Sequence, residues 1–153
     1  MRSRRGWVVI GLLLVLHFAL HPLWSGWPAE PDLLLGGLLL GSLGLRASRA
    51  AAFGFTLGLL EASISLGPLG PTMLILAGAA YAGSWLRDVF HSDSARFIPF
   101  FLLIGVWVVQ SALSLVSGHG LWLGDILVFS PISAGLTAAV CWATERLVGF
   151  FVL

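Results

Sequence analysis

The first candidate for chemistry in this sequence is an acidic residue within a long apolar stretch. Glu61 lies in the apolar run 50–66, five residues from the end of that run. A carboxylate at the centre of a bilayer costs on the order of 3 kcal/mol on insertion scales, so such residues usually face the interior of a helix bundle. The residues that share its helical face, at spacings of three and four, are Gly54, Gly58 and Ser65.

Several roles of Glu61 are open at this point. Its carboxyl group is suited to a hydrogen-bonded contact with a neighbouring helix or a partner subunit, or to a proton or ligand site. The alternative is a protonated core residue whose hydrogen bonds are satisfied within the bundle. Catalysis is the least favoured role, because the sequence around the acid contains no recognisable catalytic motif.

Other chemical motifs are weak or missing. His17 and His21 have the four-residue spacing of metal ligands on a helix, but the sequence places no third ligand near them. Asp88 and Asp93 flank His91 in a polar segment that is typical of a solvated turn. Nucleophile-elbow, zinc-protease and phosphate-loop motifs do not occur in the sequence. The sequence therefore predicts no enzyme, no metal site and no cofactor.

The composition predicts that lipid is the solvent for most of the chain. Of the 153 residues, 58% are hydrophobic and only 10% are charged, too few charges to cover a soluble domain of this size. The basic residues are scattered singly or in pairs, which is not the footprint of a nucleic-acid-binding protein. Cys141 is the single cysteine, which excludes a disulfide framework within the chain.

Six apolar segments have the length of membrane-spanning helices. A helix needs about 20 residues to cross a bilayer, and fewer where the bilayer is thin. They are residues 7–23, 28–45, 50–66, 69–86, 97–116 and 131–152. No hydrophilic segment is long enough for a soluble module. The sequence therefore predicts an all-α fold, a single transmembrane domain over residues 1–153 that forms a compact bundle of six transmembrane helices.

The charges predict the orientation of these spans. The eight basic residues are Arg2, Arg4, Arg5, Arg46, Arg49, Arg87, Arg96 and Arg146, which fall at alternate span ends. Glu30, Asp32 and Asp125 fall in the other gaps between spans, which contain no arginine. Because arginine is enriched on the cytoplasmic side, this pattern predicts a multi-pass membrane protein with both termini in the cytoplasm.

Pairs of glycines four residues apart predict close helix contacts. Such pairs occur at Gly37 and Gly41 and at Gly54 and Gly58. In lipid, small residues let helix backbones approach closely, and van der Waals contact then drives association. We expect these glycines to contact a neighbouring helix or a partner, although a sequence with 19 glycines also produces such pairs by chance.

The order and spacing of residues 12–100 resemble the MreD family of rod-shape-determining membrane proteins. The residues that carry the resemblance are Pro31, Asp32, Arg46, Gly54, Gly58, Glu61, Gly67, Gly70, Tyr81 and Arg87. Members of the family usually have an aspartate where this chain has Glu61, so the carboxylate is retained with one additional methylene. The last third of the chain is generic hydrophobic sequence, and only its number of spans agrees with the family.

The resemblance implies a non-enzymatic scaffold of the bacterial cell-elongation complex, located in the bacterial cytoplasmic (inner) membrane. Such a scaffold maintains rod shape and helps direct lateral peptidoglycan synthesis. Its implied partners are an MreC-like single-span membrane protein and, in the wider complex, RodA, a class B penicillin-binding protein and the MreB filament, besides membrane lipid. The family bundle is also similar to the substrate-binding subunits of energy-coupling-factor transporters. The alternative function is therefore a vitamin-binding subunit of that kind. Its polar lining would come from Glu61, Ser63, Ser65, Thr72 and Gln110.

Overall fold

A computed structural model of the chain describes residues 3–24, 31–65, 68–90, 97–116 and 128–151. These residues form six α-helices and no strand. The helices are α1 (Ser3–Trp24), α2 (Leu33–Gly44), α3 (Ala47–Ser65), α4 (Leu69–Phe90), α5 (Phe97–Val116) and α6 (Ser130–Phe151). The predicted all-α fold is therefore confirmed over this part of the chain.

Helix α2 is the centre of the fold. Every residue from Leu33 to Leu43 is buried, and α2 packs against each of the five other helices. Its sequence is apolar on all sides, with leucine or glycine at every position except Ser42. A helix without a polar face has no side that favours water, so it becomes the core of the bundle. The hydroxyl of Ser42 donates to the carbonyl of Leu39 within the same helix (2.7 Å).

The other helices surround α2 in pairs that are adjacent in sequence. Helices α3 and α4 form the most extensive pair, followed by α1 with α2 and α5 with α6. The short connection between Ser65 and Leu69 favours an antiparallel arrangement of α3 and α4. Trp7 of α1 and Phe53 of α3 meet edge to face, with ring centroids 6.0 Å apart. The result is a bundle in which one short helix is enclosed by five longer ones.

Three of the helices are long and apolar enough to cross a membrane. The qualifying segments are Gly6–Leu23, Leu69–Arg87 and Ile98–Val116. Helices α3 and α6 have 19 and 22 residues but are less apolar, and α2 has only 12 residues. At 1.5 Å per residue, α2 is about 18 Å long, which is short of a hydrocarbon core of about 30 Å. The helices are compatible with a membrane protein, and six spans remain a prediction.

Most helix bounds agree with the predicted segments within a few residues, but α2 does not. The sequence predicts a span over residues 28–45, whereas the helix begins at Leu33. The reason is local, because Asp32 takes the N-cap position and Pro31 therefore precedes the helix.

Some predicted features fall outside the described residues. Gly67 in the connection between α3 and α4 is one of them, as are Arg2, Glu30, Arg96 and Asp125 of the charge pattern. Ser65 lies in α3, but its side chain is also outside the described part of the structure.

Candidate helix-packing and partner-contact site

The glycines of α3 lie directly against the backbone of α4. A β-carbon added to Gly58 would lie 2.7 Å from the Cα of Met73, and one added to Gly54 would clash with the carbonyl of Leu76. Real β-carbons do not approach other atoms so closely, so any side chain at these positions would push the two helices apart. Gly54 and Gly58 thus form the contact surface of the α3–α4 pair.

The glycine pair of α2 makes looser contacts, and with two different helices. A β-carbon on Gly37 would meet Leu14 of α1 at 3.7 Å, which is an ordinary van der Waals distance. One on Gly41 would lie 2.7 Å from the ring of Phe53 of α3. Both neighbours are side chains, which adjust more easily than a backbone. The same four-residue spacing therefore produces a backbone contact in α3 and side-chain contacts in α2.

Glu61 meets a histidine of the first helix. Its Oε2 lies 3.6 Å from Nε2 of His17, and the two side chains are 25% and 8% exposed, respectively. This distance exceeds a direct hydrogen bond but lies within the range of an ion pair when the imidazole is protonated. The contact joins α3 to α1. Of the roles that the sequence leaves open for Glu61, the structure thus provides a contact to a neighbouring helix.

The imidazole of His17 is also packed against two other rings. The ring of Phe18 lies 5.2 Å from it and that of His21 lies 5.7 Å from it, both at steep interplanar angles. Within the described helices, no group of three histidine, cysteine, aspartate or glutamate side chains has the arrangement of a metal site. The spacing of His17 and His21 therefore places two rings side by side without a ligand set around them.

Two of the residues that carry the family resemblance hold the ends of α2. The carboxylate of Asp32 accepts a hydrogen bond from the backbone N–H of Leu35 (3.1 Å), and its own backbone N–H donates to the hydroxyl of Thr137 on α6 (2.9 Å). At the other end, Nη1 of Arg87 donates to the carbonyl of Leu43 (2.8 Å). Helix ends carry backbone groups without intrahelical partners, and these bonds satisfy part of them inside the protein.

Other residues of the motif lie on the surface instead. Tyr81 is 53% exposed, Arg46 and Gly70 are exposed, and a β-carbon on Gly70 would meet no atom within 4 Å. Gly70 and Tyr81 belong to one stripe of α4, which we call the exposed face of α4. Its members, spaced by three and four residues, are Gly70, Leu74, Gly78, Tyr81 and Trp85.

Three of the polar side chains considered for a ligand site form hydrogen bonds within the bundle. Ser63 donates to the carbonyl of Leu59 and Thr72 to that of Pro68, both within their own segments. Gln110 contacts Ser133 and Ser130 on α6, at 3.0 and 3.3 Å.

The sequence alone did not identify the partners of these residues. His17, Thr137 and Ser84 are buried polar residues that each contact another helix, and Ser84 donates to the carbonyl of Leu45 (2.8 Å). One signal was available for His17, since it and Glu61 both lie a few residues from the same end of their spans. Thr137 and Ser84 gave no such signal, because isolated hydroxyls in helices commonly bond to their own backbone.

Comparison with protein-family models, with curated proteins and with solved structures finds no match to this chain.

Proposed function

We propose that the protein is an MreD-type scaffold of the bacterial inner membrane that holds the membrane segment of an MreC-like single-span protein. In this proposal all six helices belong to the membrane domain, both termini face the cytoplasm, and RodA, a class B penicillin-binding protein and MreB belong to the wider complex. The short α2 needs no contact with lipid, because the other helices enclose it.

The observation that carries this proposal is the position of Gly70 and Tyr81. Both belong to the motif that resembles MreD, yet both lie on the exposed face of α4. Asp32 and Arg87 have a structural use at the ends of α2, whereas packing within the bundle does not account for a tyrosine that is 53% exposed. A partner that covers this face would give these residues a common role.

The exposed face of α4 has the features of a helix-docking surface. A β-carbon on Gly70 or Gly78 would meet nothing within 4 Å, so a second helix has room to approach the backbone. Tyr81 lies about 9 Å along the helix from Arg87, within the apolar segment Leu69–Arg87. A phenol hydroxyl at this depth favours a hydrogen-bond partner over lipid, and a docked helix supplies one.

The transporter-subunit alternative receives less support. A small-molecule site needs several polar groups that converge on one pocket. Glu61 contacts α1, Gln110 contacts α6, and the described residues that line the pocket between α2, α4 and α5 are all apolar. We therefore favour the scaffold.

The proposal is tested by co-purification of the protein with an MreC-like partner. Gly78→Leu places a bulky side chain on the exposed face of α4 without a clash inside the bundle, so we expect partner recovery to fall about tenfold at equal expression and unchanged thermal stability. The matched control is Gly135→Leu on α6, whose β-carbon also meets no atom within 4 Å. This variant should recover the partner fully.

Two outcomes contradict the proposal. Full partner recovery by Gly78→Leu would remove the exposed face of α4 as the docking surface. Tight binding of a vitamin-sized ligand by the purified protein, together with no recovery of the partner by the unaltered protein, would support the transporter alternative instead.

A further inference from the structure

A deep apolar groove lies on a different side of α4 from its exposed face. The groove has a volume of about 500 Å³ and opens between α4 and α5, with α2 behind it. Leu39 and Gly105 form part of its lining, and Phe100 and Ile104 stand beside it with 65% and 40% of their surfaces exposed. None of the described residues that line it has a polar side chain.

The length and lining of the groove suit an extended hydrocarbon chain. It follows α5 from Phe100 to Val109, which corresponds to about 14 Å along the helix axis. Lipid tails are as apolar as leucine side chains, so an acyl chain packs against this lining without displacing a polar contact.

A positive charge lies just beyond one end of the groove. Ala79 and Gly83 line the groove, and Arg87 follows at the same four-residue spacing, about 6 Å farther along the same stripe of α4. Its guanidinium group is fixed beside the C-terminus of α2 by the hydrogen bond to Leu43. An apolar groove that ends at a fixed guanidinium matches the two parts of an anionic phospholipid, an acyl chain and a phosphate.

We propose that this groove is a binding site for one anionic phospholipid, with an acyl chain between α4 and α5 and the phosphate group near Arg87. The site is separate from the docking face on α4, so lipid and partner bind at the same time. The inference rests on the membrane placement proposed above and does not depend on the identity of the partner.

Native mass spectrometry of the purified protein without a partner tests the site. The protein is incubated with equal amounts of phosphatidylglycerol and phosphatidylethanolamine, and we expect one phosphatidylglycerol to be retained in at least fivefold excess. Ala82→Phe fills the groove from its α4 side and should lower this adduct at least fivefold. Ala52→Phe, at an exposed position on α3, is the matched control and should retain it.

The charge is tested separately with Arg87→Gln, which should remove the preference for the anionic lipid, while Arg87→Lys restores it. Arg49→Gln, at an exposed arginine, should leave the preference unchanged. Equal retention of both lipids by the unaltered protein, or an undiminished adduct in Ala82→Phe, would overturn the proposal. Loss of the adduct in Ala52→Phe as well would show that the lipids bind all around the protein. The mass-spectrometry experiment contains no partner, so its outcome does not depend on the scaffold proposal. That proposal is decided separately by the co-purification experiment.

Discussion

At the scale of single residues, the contact between His17 and Glu61 explains how a carboxylate is accommodated in an apolar helix. The carboxylate is partly exposed, and its neighbour is a buried imidazole 3.6 Å away. A polar group removed from water is tolerated when another polar group compensates it. The contact also ties α1 to α3, so its removal affects the bundle as well as the two residues.

A double-mutant cycle measures this contact. We expect His17→Leu and Glu61→Leu each to lower the free energy of unfolding in detergent, and the double variant to lose less than the sum of the two. The expected coupling is about 0.5–3 kcal/mol, the range for residues in contact. Glu61→Gln keeps the shape and should lose less than Glu61→Leu. Additive losses would show that the two side chains do not interact in the folded protein.

The glycines of α3 provide a second test at the residue scale. Gly58→Ala places a methyl group 2.7 Å from the Cα of Met73, and we expect overpacking to cost about 1–3 kcal/mol in thermal or denaturant unfolding. Gly78→Ala on α4 is the matched control, because a methyl group there meets no atom within 4 Å. Gly36 is unsuitable as a control, since its β-carbon would clash with Cys141. Equal stability of both variants would contradict the backbone contact between α3 and α4.

At the scale of elements, the short central helix determines the architecture. Helix α2 has no polar face, so five helices pack around it, and both of its ends are held by hydrogen bonds from other helices. Such bonds are needed because a helix end in an apolar environment has no water to satisfy its backbone groups. The two motif residues Asp32 and Arg87 therefore fix the position of α2 along the bundle axis.

The N-cap of α2 leads to a third prediction. Asp32→Ala removes the acceptor for the N–H of Leu35 and should lower stability by about 1 kcal/mol, within the range of N-cap substitutions. Asp32→Asn retains an equivalent acceptor, so its stability should be close to that of the unaltered protein. The measurement is the midpoint of thermal unfolding in detergent. A loss as large in Asp32→Asn as in Asp32→Ala would indicate that the negative charge matters and the cap does not.

The sequence predicted the helices much better than their contacts. Hydrophobic segments located all six helices, because a helix of the length needed to span a membrane appears in the sequence as a long apolar run. The start of α2 was predicted too early, because Asp32 caps the helix and Leu33 is its first residue. The partners of Glu61 and Asp32 were beyond prediction, since His17 and Thr137 lie 44 and 105 residues away and only packing brings them together.

At the scale of the whole molecule, the positions of the charges predict how the bundle lies in a membrane. Three helices have the length and apolarity of spans, and Arg46, Arg49 and Arg87 lie at the ends of α3 and α4 that we assign to the cytoplasm. Leu69 and Gly70 begin α4 at the opposite end. Both helices of this pair therefore carry their arginines on one side of the bundle.

Cysteine labelling tests this orientation. Single cysteines at Ser48 and Gly70, both exposed positions, are introduced after replacement of Cys141 by alanine. In intact spheroplasts, an impermeant thiol reagent should label the cysteine at position 70 and reach the one at position 48 only after lysis. Labelling of position 48 before lysis would reverse the proposed topology.

The central claim, that a partner's membrane helix docks on the exposed face of α4, is tested most directly by photo-crosslinking in living cells. A photoreactive phenylalanine derivative replaces Leu74, which is 70% exposed on this face, or Leu136, which is 46% exposed on α6. With a tagged MreC-like partner present, we predict that irradiation yields a one-to-one adduct from position 74 and none from position 136. If position 74 yields no adduct while the protein is present in the membrane at its normal level, the docking face is wrong and the claim is contradicted.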